Sequence, residues 1–347
     1  MVTSVALQDG ITGAVNSILN KRSNNGLWYD FHTLAGSSAD WVTGFVVYAL
    51  AHVDDLDDTT LDVLKRLLFR QRQNGGWSYN EIVPTDCDST AWVLMSFLAA
   101  PVWKPSSVAR AVRYVKHHQV EESGGFATYS LADNIERFIE VNDQSLTTGW
   151  RDAHPCVTGV VLQSLLAHGE QPRSPAVQSA AKYLLGCREP SGIWRSYWWK
   201  GYAYSTYHSL RALSMAGVLS PSQTDKTCSY LLAQQHEDGG WNDNSGGESE
   251  VFATAFNVLS LLLFPDEASL KAVERATAWL LLQQNAEGSW PTAPILRIPP
   301  PMVHDPEVVE VWRTNDEGTG VIVEDQAGIF TSAAAVWSLA VFQSMID

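Results

Sequence analysis

The sequence predicts an all-α protein whose six helix-pair repeats close into an (α/α)6 barrel with two insertions at one rim. Three observations support this fold class. A turn of the form Q-x-x-x-G-x-W recurs along the chain, an apolar segment with a threonine near its start follows each turn, and amphipathic segments precede the turns. Such internal repeats define an architecture before any single element does. We expect residues 1–347 to form one domain.

The turn motif ends the first helix of each repeat. Its clearest copies are "QRQNGGW" at 71–77, "QQHEDGGW" at 234–241 and "QQNAEGSW" at 283–290. Two looser copies have arginine in place of glutamine, at Arg22 and Arg188, and "ESGGF" ending at Phe126 is a degraded sixth copy. Glycine suits the left-handed position after a helix, so each turn should terminate the amphipathic helix before it.

A threonine marks the second helix of each repeat. The six are Thr43, Thr90, Thr158, Thr206, Thr254 and Thr331. Their spacings of 47, 68, 48, 48 and 77 residues indicate a period near 48, with extra residues in the third and sixth repeats. Segments such as "TAWVLMSFLAA" are apolar nearly all round and should be buried on all sides. Alternating buried and amphipathic helices fit two concentric rings, with insertions 127–150 and 291–320 at the mouth.

Composition argues against several classes of function. The net charge of −15 disfavours nucleic acid or an anionic membrane surface as a partner, because both need clustered cations. The four cysteines show no C-x-x-C spacing, so neither a disulfide framework nor a cysteine zinc site is predicted. No secretory leader or membrane-spanning run is recognised, and we expect a cytoplasmic protein without a transmembrane segment.

Two acidic strings compete for a chemical role. "VPTDCDSTAW" at 83–92 places Asp86 and Asp88 in front of a buried helix, whereas "HVDDLDDTT" at 52–60 opens an amphipathic one. Acids in the first turn of an outer helix are favoured by capping and by the helix dipole, so we interpret the second string as solvated caps. Its acids are Asp54, Asp55, Asp57 and Asp58. For Asp86 and Asp88, capping stays open as the alternative to chemistry.

Two positions before each threonine, the repeats carry one acid among five uncharged residues. They are Trp41, Asp88, Cys156, Tyr204, Phe252 and Ile329. Asp88 is therefore expected to point into a cavity walled by aromatic rings, where loss of hydration raises the pKa of a carboxyl above its usual ~3.9. A neutral carboxylic acid in a dry pocket can donate its proton to a weak base.

The turns together with "DCDSTA" resemble those of class II terpene cyclases of the squalene-hopene and copalyl-diphosphate type, whose acid motif is D-x-D-D-T-A. Asp86, Asp88, Thr90 and Ala91 match this motif, and Ser89 replaces its last aspartate. "DCDST" is more similar still to D-x-D-T-T, the motif of drimane-forming sesquiterpene cyclases. The resemblance implies a cyclase that protonates a linear isoprenoid, with farnesyl diphosphate as the expected substrate and its diphosphate retained. A neutral isoprenoid or a meroterpenoid is the alternative substrate.

The same resemblance implies roles for the residues around the acid. Asp88 would be the proton donor, Asp86 would steer its proton, and His154 would orient an acid or take the final proton. Aromatic faces that stabilise a cation are expected from Trp41, Trp92, Tyr204 and Phe252. Core packing stays the alternative for each aromatic residue, and a structural role stays the alternative for His154.

A diphosphate needs cations, and this acidic chain offers few. Arg195 and Lys200 in "WRSYWWK" are the candidates for binding it, with two solvated loop cations as the alternative. Glu248 and Glu250 could hold Mg²⁺ as the cofactor of such a substrate. The expected partner is a small isoprenoid molecule, and a phosphatase or a second copy of the chain are further candidates. Larger class II cyclases carry two barrels, so the pocket could be closed by the insertions or by a partner.

Rival functions stay open at this point. A zinc-dependent prenyltransferase subunit shares the barrel, and Asp152, Cys156 and His208 could hold its metal. A non-catalytic binding barrel is disfavoured by the lone acid Asp88. A carbohydrate-active barrel needs a second carboxylate across the cleft, for which Glu250 is the candidate.

Overall fold

A computed structural model describes residues 3–53, 58–100, 104–243 and 247–347. Within these ranges twelve long helices alternate between an outer and an inner ring. The outer helices are α1 (Ser4–Asn20), α3 (Asp58–Arg70), α5 (Pro105–Lys116), α8 (Pro175–Gly186), α10 (Pro221–Gln234) and α12 (Glu267–Gln283). The inner helices are α2 (Asp40–Leu50), α4 (Cys87–Leu98), α7 (Pro155–Ala167), α9 (Ala203–Met215), α11 (Val251–Leu262) and α13 (Ile329–Ile346). The short helix α6 (Ile135–Phe138) lies in the first insertion.

The inner helices form a closed ring. Each contacts the next along the chain, and α13 returns to α2. Because the outer helices cover this ring, the inner helices are buried and apolar almost all round. In the described part of the chain, α13 alone is long and apolar enough to cross a membrane, and most of it is buried inside the barrel. The predicted (α/α)6 barrel is confirmed.

In the first five repeats the turn donates a backbone N–H to the threonine hydroxyl of the inner helix that follows. In the second repeat Trp77 donates its indole N–H to the Leu67 carbonyl of α3 (2.7 Å) and its backbone N–H to the Thr90 hydroxyl of α4 (2.9 Å). Gln71 donates its amide to the Ser107 carbonyl of the next outer helix, α5 (2.9 Å). The recurring threonine is thus a hydrogen-bond acceptor for the turn, and the recurring glutamine links neighbouring repeats.

The degraded turn of the third repeat keeps this bonding pattern. Gln119 donates to the carbonyls of Gly124 and Ala176, both at 2.8 Å, and the Phe126 N–H donates to the Thr158 hydroxyl (2.8 Å). One additional residue separates this glutamine from its glycine, which hides it from a search at fixed spacing.

The last turn joins the final repeat to the first helix. Gln284 donates to the Gly10 carbonyl of α1 and to the Gly288 carbonyl across the turn, both at 2.9 Å. Gly288 has a φ of +84°, and a Cβ added there would overlap the Gly13 carbonyl. Only glycine permits this approach, because any other residue would be strained and would also clash.

We expect Gln284→Ala to lower the free energy of unfolding by about 1–3 kcal/mol, because it leaves two carbonyls at the closure without their donor. Gln178→Ala is the control, since its amide bonds only the Pro172 carbonyl near the surface, and a change within about 0.5 kcal/mol is expected. Denaturant titration of both variants measures the difference. Equal losses of unfolding free energy in the two variants would mean that the Gln284 hydrogen bonds at the closure stabilise the fold no more than an ordinary surface contact.

The strands and the insertions lie at the rim where the inner helices begin. The strands are β1 (Asp30–Thr33), β2 (Gly36–Ser38), β3 (Trp77–Ser78), β4 (Thr85–Asp86), β5 (Pro294–Ile298), β6 (Arg313–Thr314) and β7 (Val321–Glu324). β1 pairs with β2 and β3 with β4, both antiparallel, while β7 pairs with β5 (antiparallel) and β6 (parallel). Trp150 of the first insertion donates its indole N–H to the Pro299 carbonyl of the second (2.9 Å). The two insertions therefore meet at one rim, as the repeat spacing predicts.

Candidate active site

A cavity with about 800 Å³ of empty space, its open mouth included, lies at this rim. Its wall is largely aromatic, with the rings of Trp41, Tyr79, Tyr129, Phe138, Trp150, Trp198 and Trp199. The first insertion supplies Tyr129, Phe138 and Trp150, and β5 supplies Leu296, Arg297 and Ile298. The charged residues along its lining are Asp86, Asp88 and Arg297.

Asp86 caps the inner helix α4. Its Oδ1 accepts the backbone N–H of Ser89 at 2.7 Å, and the side chain is buried. Burial raises the pKa of Asp86 to about 7 against the opposing hydrogen bonds from Ser89, and the nearby Asp133 raises it further. Asp86 therefore caps the helix, which is one of the two roles that the sequence leaves open for it.

Asp88 does not cap the helix. Its Oδ1 is buried and has no hydrogen-bond partner among the described residues, and the side chain borders the cavity. Burial raises the pKa of Asp88 well above 3.8, the neighbouring Asp86 raises it further, and the indole of Trp41 lowers it. Such surroundings favour the neutral form of the carboxyl over the charged one, so the cavity contains an acid whose proton can be donated to a guest.

Trp199 separates this cavity from aromatic residues that the sequence places beside Asp88. Its indole lines the cavity and stacks on Tyr204 and Phe252, with ring centroids 4.5 and 5.0 Å apart. Neither of those rings lines the cavity, and Trp92 is buried with them, its indole N–H bonded to the Tyr204 hydroxyl (3.0 Å). The expectation that Tyr204 and Phe252 wall the cavity is corrected here. The chain before α9 folds over the inner helices and inserts Trp199.

The two predicted anion-binding residues lie away from the cavity lining. Arg195 is half exposed and pairs with Glu189 at 2.7 Å. Lys200 pairs with Glu250 at 2.8 Å, beside a second pocket that Glu248 also lines. Both cations are therefore already paired with carboxylates, and neither reaches the cavity wall.

Arg297 of β5 is the cation that borders the cavity. Its guanidinium bonds Glu307 (Nη1–Oε1, 2.6 Å) and the Ser196 carbonyl, and it lies 5.6 Å from the Trp312 ring centre. The side chain is buried, and its Nε has no partner among the described residues. The sequence shows Arg297 only as one cation in the apolar stretch "APILRIPPPMV", which gave no reason to select it.

His154 has the same place in α7 that Asp86 has in α4, since each is the N-cap residue. Its ring stacks on Tyr197 at 3.7 Å, and neither ring nitrogen has a partner among the described residues. Burial lowers the pKa of His154 to about 3, so the ring is neutral. His154 is not among the residues that line the cavity, and its expected role toward the acid stays a prediction.

The residues considered for metals are not brought together. Across 3–53, 58–100, 104–243 and 247–347, no group of three or more His, Cys, Asp or Glu side chains could hold an ion. Asp152 contacts His304, while His208 Nδ1 lies 3.0 Å from the Gln163 amide, so the zinc set stays dispersed. Glu250, considered for magnesium, pairs with Lys200.

Of the four aspartates in the second acidic string, "HVDDLDDTT", one lies within the described residues. Asp54, Asp55 and Asp57 lie outside the described residues. Asp58 is exposed and lies in the first turn of α3, a helix of the outer ring. It is also distant in sequence from the rim residues. Its position fits the predicted cap.

Known proteins share this architecture. The Squalene-hopene cyclase C-terminal domain family matches residues 74–295. Drimenyl diphosphate synthase of Streptomyces showdoensis is 24% identical over 258 residues, covering 71% of this chain and 44% of that protein. Squalene-hopene cyclase of Zymomonas mobilis is 27% identical over 290 residues, covering 72% and 43%. The chain thus spans less than half the length of these curated relatives.

A solved structure matches along its whole length. The type II terpene cyclase MstE from Scytonema, in a variant bound to geranylgeranyl dihydroxybenzoate as substrate, aligns with a TM-score of 0.88 and 28% identity over 99% of both chains. The family match covers well over half of the sequence and includes Asp86, Asp88 and the cavity-lining residues between Tyr79 and Trp199. The chain therefore belongs to the squalene-hopene cyclase C-terminal domain family, within the class II terpene cyclases.

Proposed function

We propose that this class II terpene cyclase folds and cyclises a linear isoprenoid chain attached to an aromatic acid, with residues 1–347 acting as one domain. The observation that carries the proposal is the presence in one cavity of a buried acid, Asp88, whose Oδ1 has no partner among the described residues, and of a buried cation, Arg297. The acid suits an alkene, and the cation suits one carboxylate. MstE, similar along its whole length, binds a substrate of this kind.

Asp88 starts the reaction. Its O–H bond breaks as the π electrons of the terminal double bond form a C–H bond, which leaves a carbocation on the chain and a carboxylate on Asp88. The next double bonds attack in turn and close rings, and loss of one proton to a base gives an isomer of the substrate. Aromatic faces stabilise the migrating cation, by roughly 2 kcal/mol each where water is excluded. Trp41, which lies beside Asp88, and Trp199, whose ring centroid is 5.6 Å from that of Trp41 along the same cavity, take this part here.

The cavity charges favour a head group with one negative charge. Arg297 is the one cation among the described residues of the lining, and Glu307 already neutralises part of its charge. A diphosphate brings several charges and would need more cations than this wall supplies. A carboxylate can accept a bidentate pair from one guanidinium, since the two groups match in geometry.

Cyclisation of farnesyl diphosphate to a drimane-type product is the second candidate. It is favoured by the 24% identity to drimenyl diphosphate synthase over 71% of the chain. In this case Mg²⁺ would accompany the diphosphate as cofactor, a partner phosphatase would release the alcohol, and Arg195 or Lys200 would have to leave its present carboxylate. The prenylated aromatic acid needs no added metal, no phosphatase and no broken ion pair, so it is the simpler substrate for this cavity.

The test is incubation of the purified protein with farnesyl and geranylgeranyl dihydroxybenzoate, and in parallel with farnesyl and geranylgeranyl diphosphate, with and without Mg²⁺. We expect cyclic isomers, of unchanged mass and shifted retention in chromatography coupled to mass spectrometry, from the prenylated acids without added metal. Turnover of the diphosphates alone would overturn the first candidate in favour of the second.

The cyclisation rate is expected to fall as the pH rises through about 7, where Asp86 loses its proton. A carboxyl whose pKa is raised by burial is neutral below that value and charged above it, and a charge beside Asp88 makes Asp88 a weaker acid. Besides Asp88, the charged groups that act on Asp86 are Asp133 and His118, themselves paired at 2.8 Å.

Asp86→Asn tests whether ionisation of Asp86 causes the fall in rate, because the amide keeps the capping oxygen but cannot ionise. The decline near pH 7 should disappear from the kcat profile of the variant. A decline of unchanged position in Asp86→Asn would assign the titration to another group.

A further inference from the structure

We infer that Trp199 sets the length of the isoprenoid chain that the cavity accepts. The inference rests on the proposed function only in needing an isoprenoid tail, whatever head group the tail carries. A cavity discriminates chain lengths when a rigid side chain fills the space that the next five-carbon unit would occupy.

The Trp199 indole fills the centre of the barrel mouth. Its ring centroid lies 5.6 Å from that of Trp41 on α2 and 5.2 Å from that of Phe330 on α13. It also stacks on Tyr204 of α9 and Phe252 of α11. One side chain thus touches four of the six inner helices, while its own face borders the cavity.

The side of the Trp199 indole that packs on Phe252 points away from the acid, across the barrel. In the closed order of the inner helices, α11 is three steps from α4 in either direction, so Phe252 stands opposite Asp88. A chain whose last double bond rests at Asp88 must fold back toward this side. Trp199 is therefore positioned to limit how much folded chain fits between the acid and the mouth.

If the Trp199 indole were removed, the residues beneath it would form the new wall of the cavity. Tyr204, Phe252 and Phe256 are buried and in contact. Tyr204 and Phe252 stack, and Phe256 meets both edge-on, with Phe252 and Phe256 centroids 4.9 Å apart. These rings are apolar and would keep a larger cavity dry. An indole is comparable in size with one isoprene unit, so Trp199→Ala should add room for about one more unit.

The backbone holds Trp199 in place independently of its ring. The neighbouring Lys200 N–H donates to the Ile295 carbonyl of β5 (2.8 Å), and the Arg297 N–H of β5 donates to the Trp198 carbonyl (2.8 Å). These bonds tie the segment to β5 on both sides of Trp199, so replacing the indole should not release the segment.

The experiment compares kcat/KM for prenylated substrates of ten, fifteen, twenty and twenty-five carbons with a common head group. In Trp199→Ala, the ratio of the next longer chain to the chain that the natural protein prefers should rise about tenfold or more, the discrimination that a filled apolar pocket provides. Trp199→Phe keeps a ring and should keep most of the original preference. An unchanged ratio in a folded, active Trp199→Ala protein would overturn the inference.

Trp198→Ala is the matched control. Trp198 also lines the cavity, but its indole N–H bonds the Thr128 hydroxyl (2.7 Å), and its ring packs beside Trp150 on the wall of the first insertion. Its loss should lower kcat/KM for all lengths alike. A shift of preference equal to that of Trp199→Ala would mean that any lost wall volume has this effect, and would also overturn the inference.

Separate controls address the folding of the variant and the identity of the substrate head group. Circular dichroism and a thermal melt establish whether Trp199→Ala folds, and Trp199→Leu, which leaves a smaller void, replaces it if it does not. If the natural protein turns over diphosphates and no prenylated acid, the proposed head group fails. The same four lengths are then compared as diphosphates, and the expected shift is unchanged because Trp199 faces the tail.

Discussion

Asp88→Asn is expected to lower the rate of cyclisation by about 10³-fold while leaving the fold intact. The amide has the size of the carboxyl but no acidic proton, and a positioned general acid accounts for about 10²–10⁴-fold in rate. Asp88 does not cap α4, and its Oδ1 bonds no described residue, so the substitution removes no hydrogen bond at that atom. Product formation is followed by mass spectrometry, and the fold by thermal unfolding.

Asp58→Asn is the control for this prediction. It also replaces an aspartate in the first turn of a helix, but this helix belongs to the outer ring and Asp58 is exposed. Its rate should stay within about twofold of the natural protein, since a capping or helix-dipole contact of this kind amounts to a few tenths of a kcal/mol to about 1 kcal/mol of stability. Loss of activity in Asp58→Asn with retention in Asp88→Asn would place the acid in the other string.

Arg297→Met is expected to lower kcat/KM for a prenylated aromatic acid by about 10²-fold and to leave the matching neutral phenol within about threefold. A buried, charge-assisted pair that loses one partner typically costs 2–5 kcal/mol, and each 1.4 kcal/mol is tenfold. Methionine keeps an apolar stem of similar length. The ratio of the two substrates isolates the charge effect from any general damage to the wall, because damage would affect both.

Arg195→Met serves as the comparison for the head-group prediction. Arg195 is half exposed, forms ion pairs with Glu189 and Glu307, and does not line the cavity. Exposed pairs of this kind contribute about 0–1 kcal/mol, so both substrates should be turned over nearly as before. An equal loss for acid and phenol in Arg297→Met, or a selective loss in Arg195→Met, would remove Arg297 from the head-group site.

The sequence by itself determined the barrel and the place of the acid within it. Thr90 and four of its counterparts stand at the start of an inner helix because the hydroxyl accepts the N–H of the turn before it, a local requirement that recurs with the repeat. The sixth, Thr331, instead donates its hydroxyl to Asp325 (3.0 Å). The same register places Asp88 in the first turn of an inner helix. Periodicity could reveal these features, since local bonding repeated along the chain leaves a repeated pattern.

The insertions were also placed correctly at one rim, because their position between a turn and an inner helix fixes the end of the barrel at which they emerge. Their internal contacts were beyond the sequence. Trp150 bonds the Pro299 carbonyl, a partner 149 residues away that no spacing rule indicates. The closure of the cavity by its own insertions therefore became visible only in three dimensions.

Only the tertiary structure decided which side chains face the cavity. Aligned positions put Tyr204 and Phe252 at the level of Asp88, yet Trp199 comes from the non-repeating segment before α9 and covers both. Arg297 reaches the wall because β5 pairs with that same segment, whereas Arg195 and Lys200, closer to aromatic residues in sequence, bond nearby carboxylates. Repeat register reports the level of a residue along the barrel axis. It cannot report what a non-repeating segment places on top, because that depends on contacts between parts of the chain that are distant in sequence.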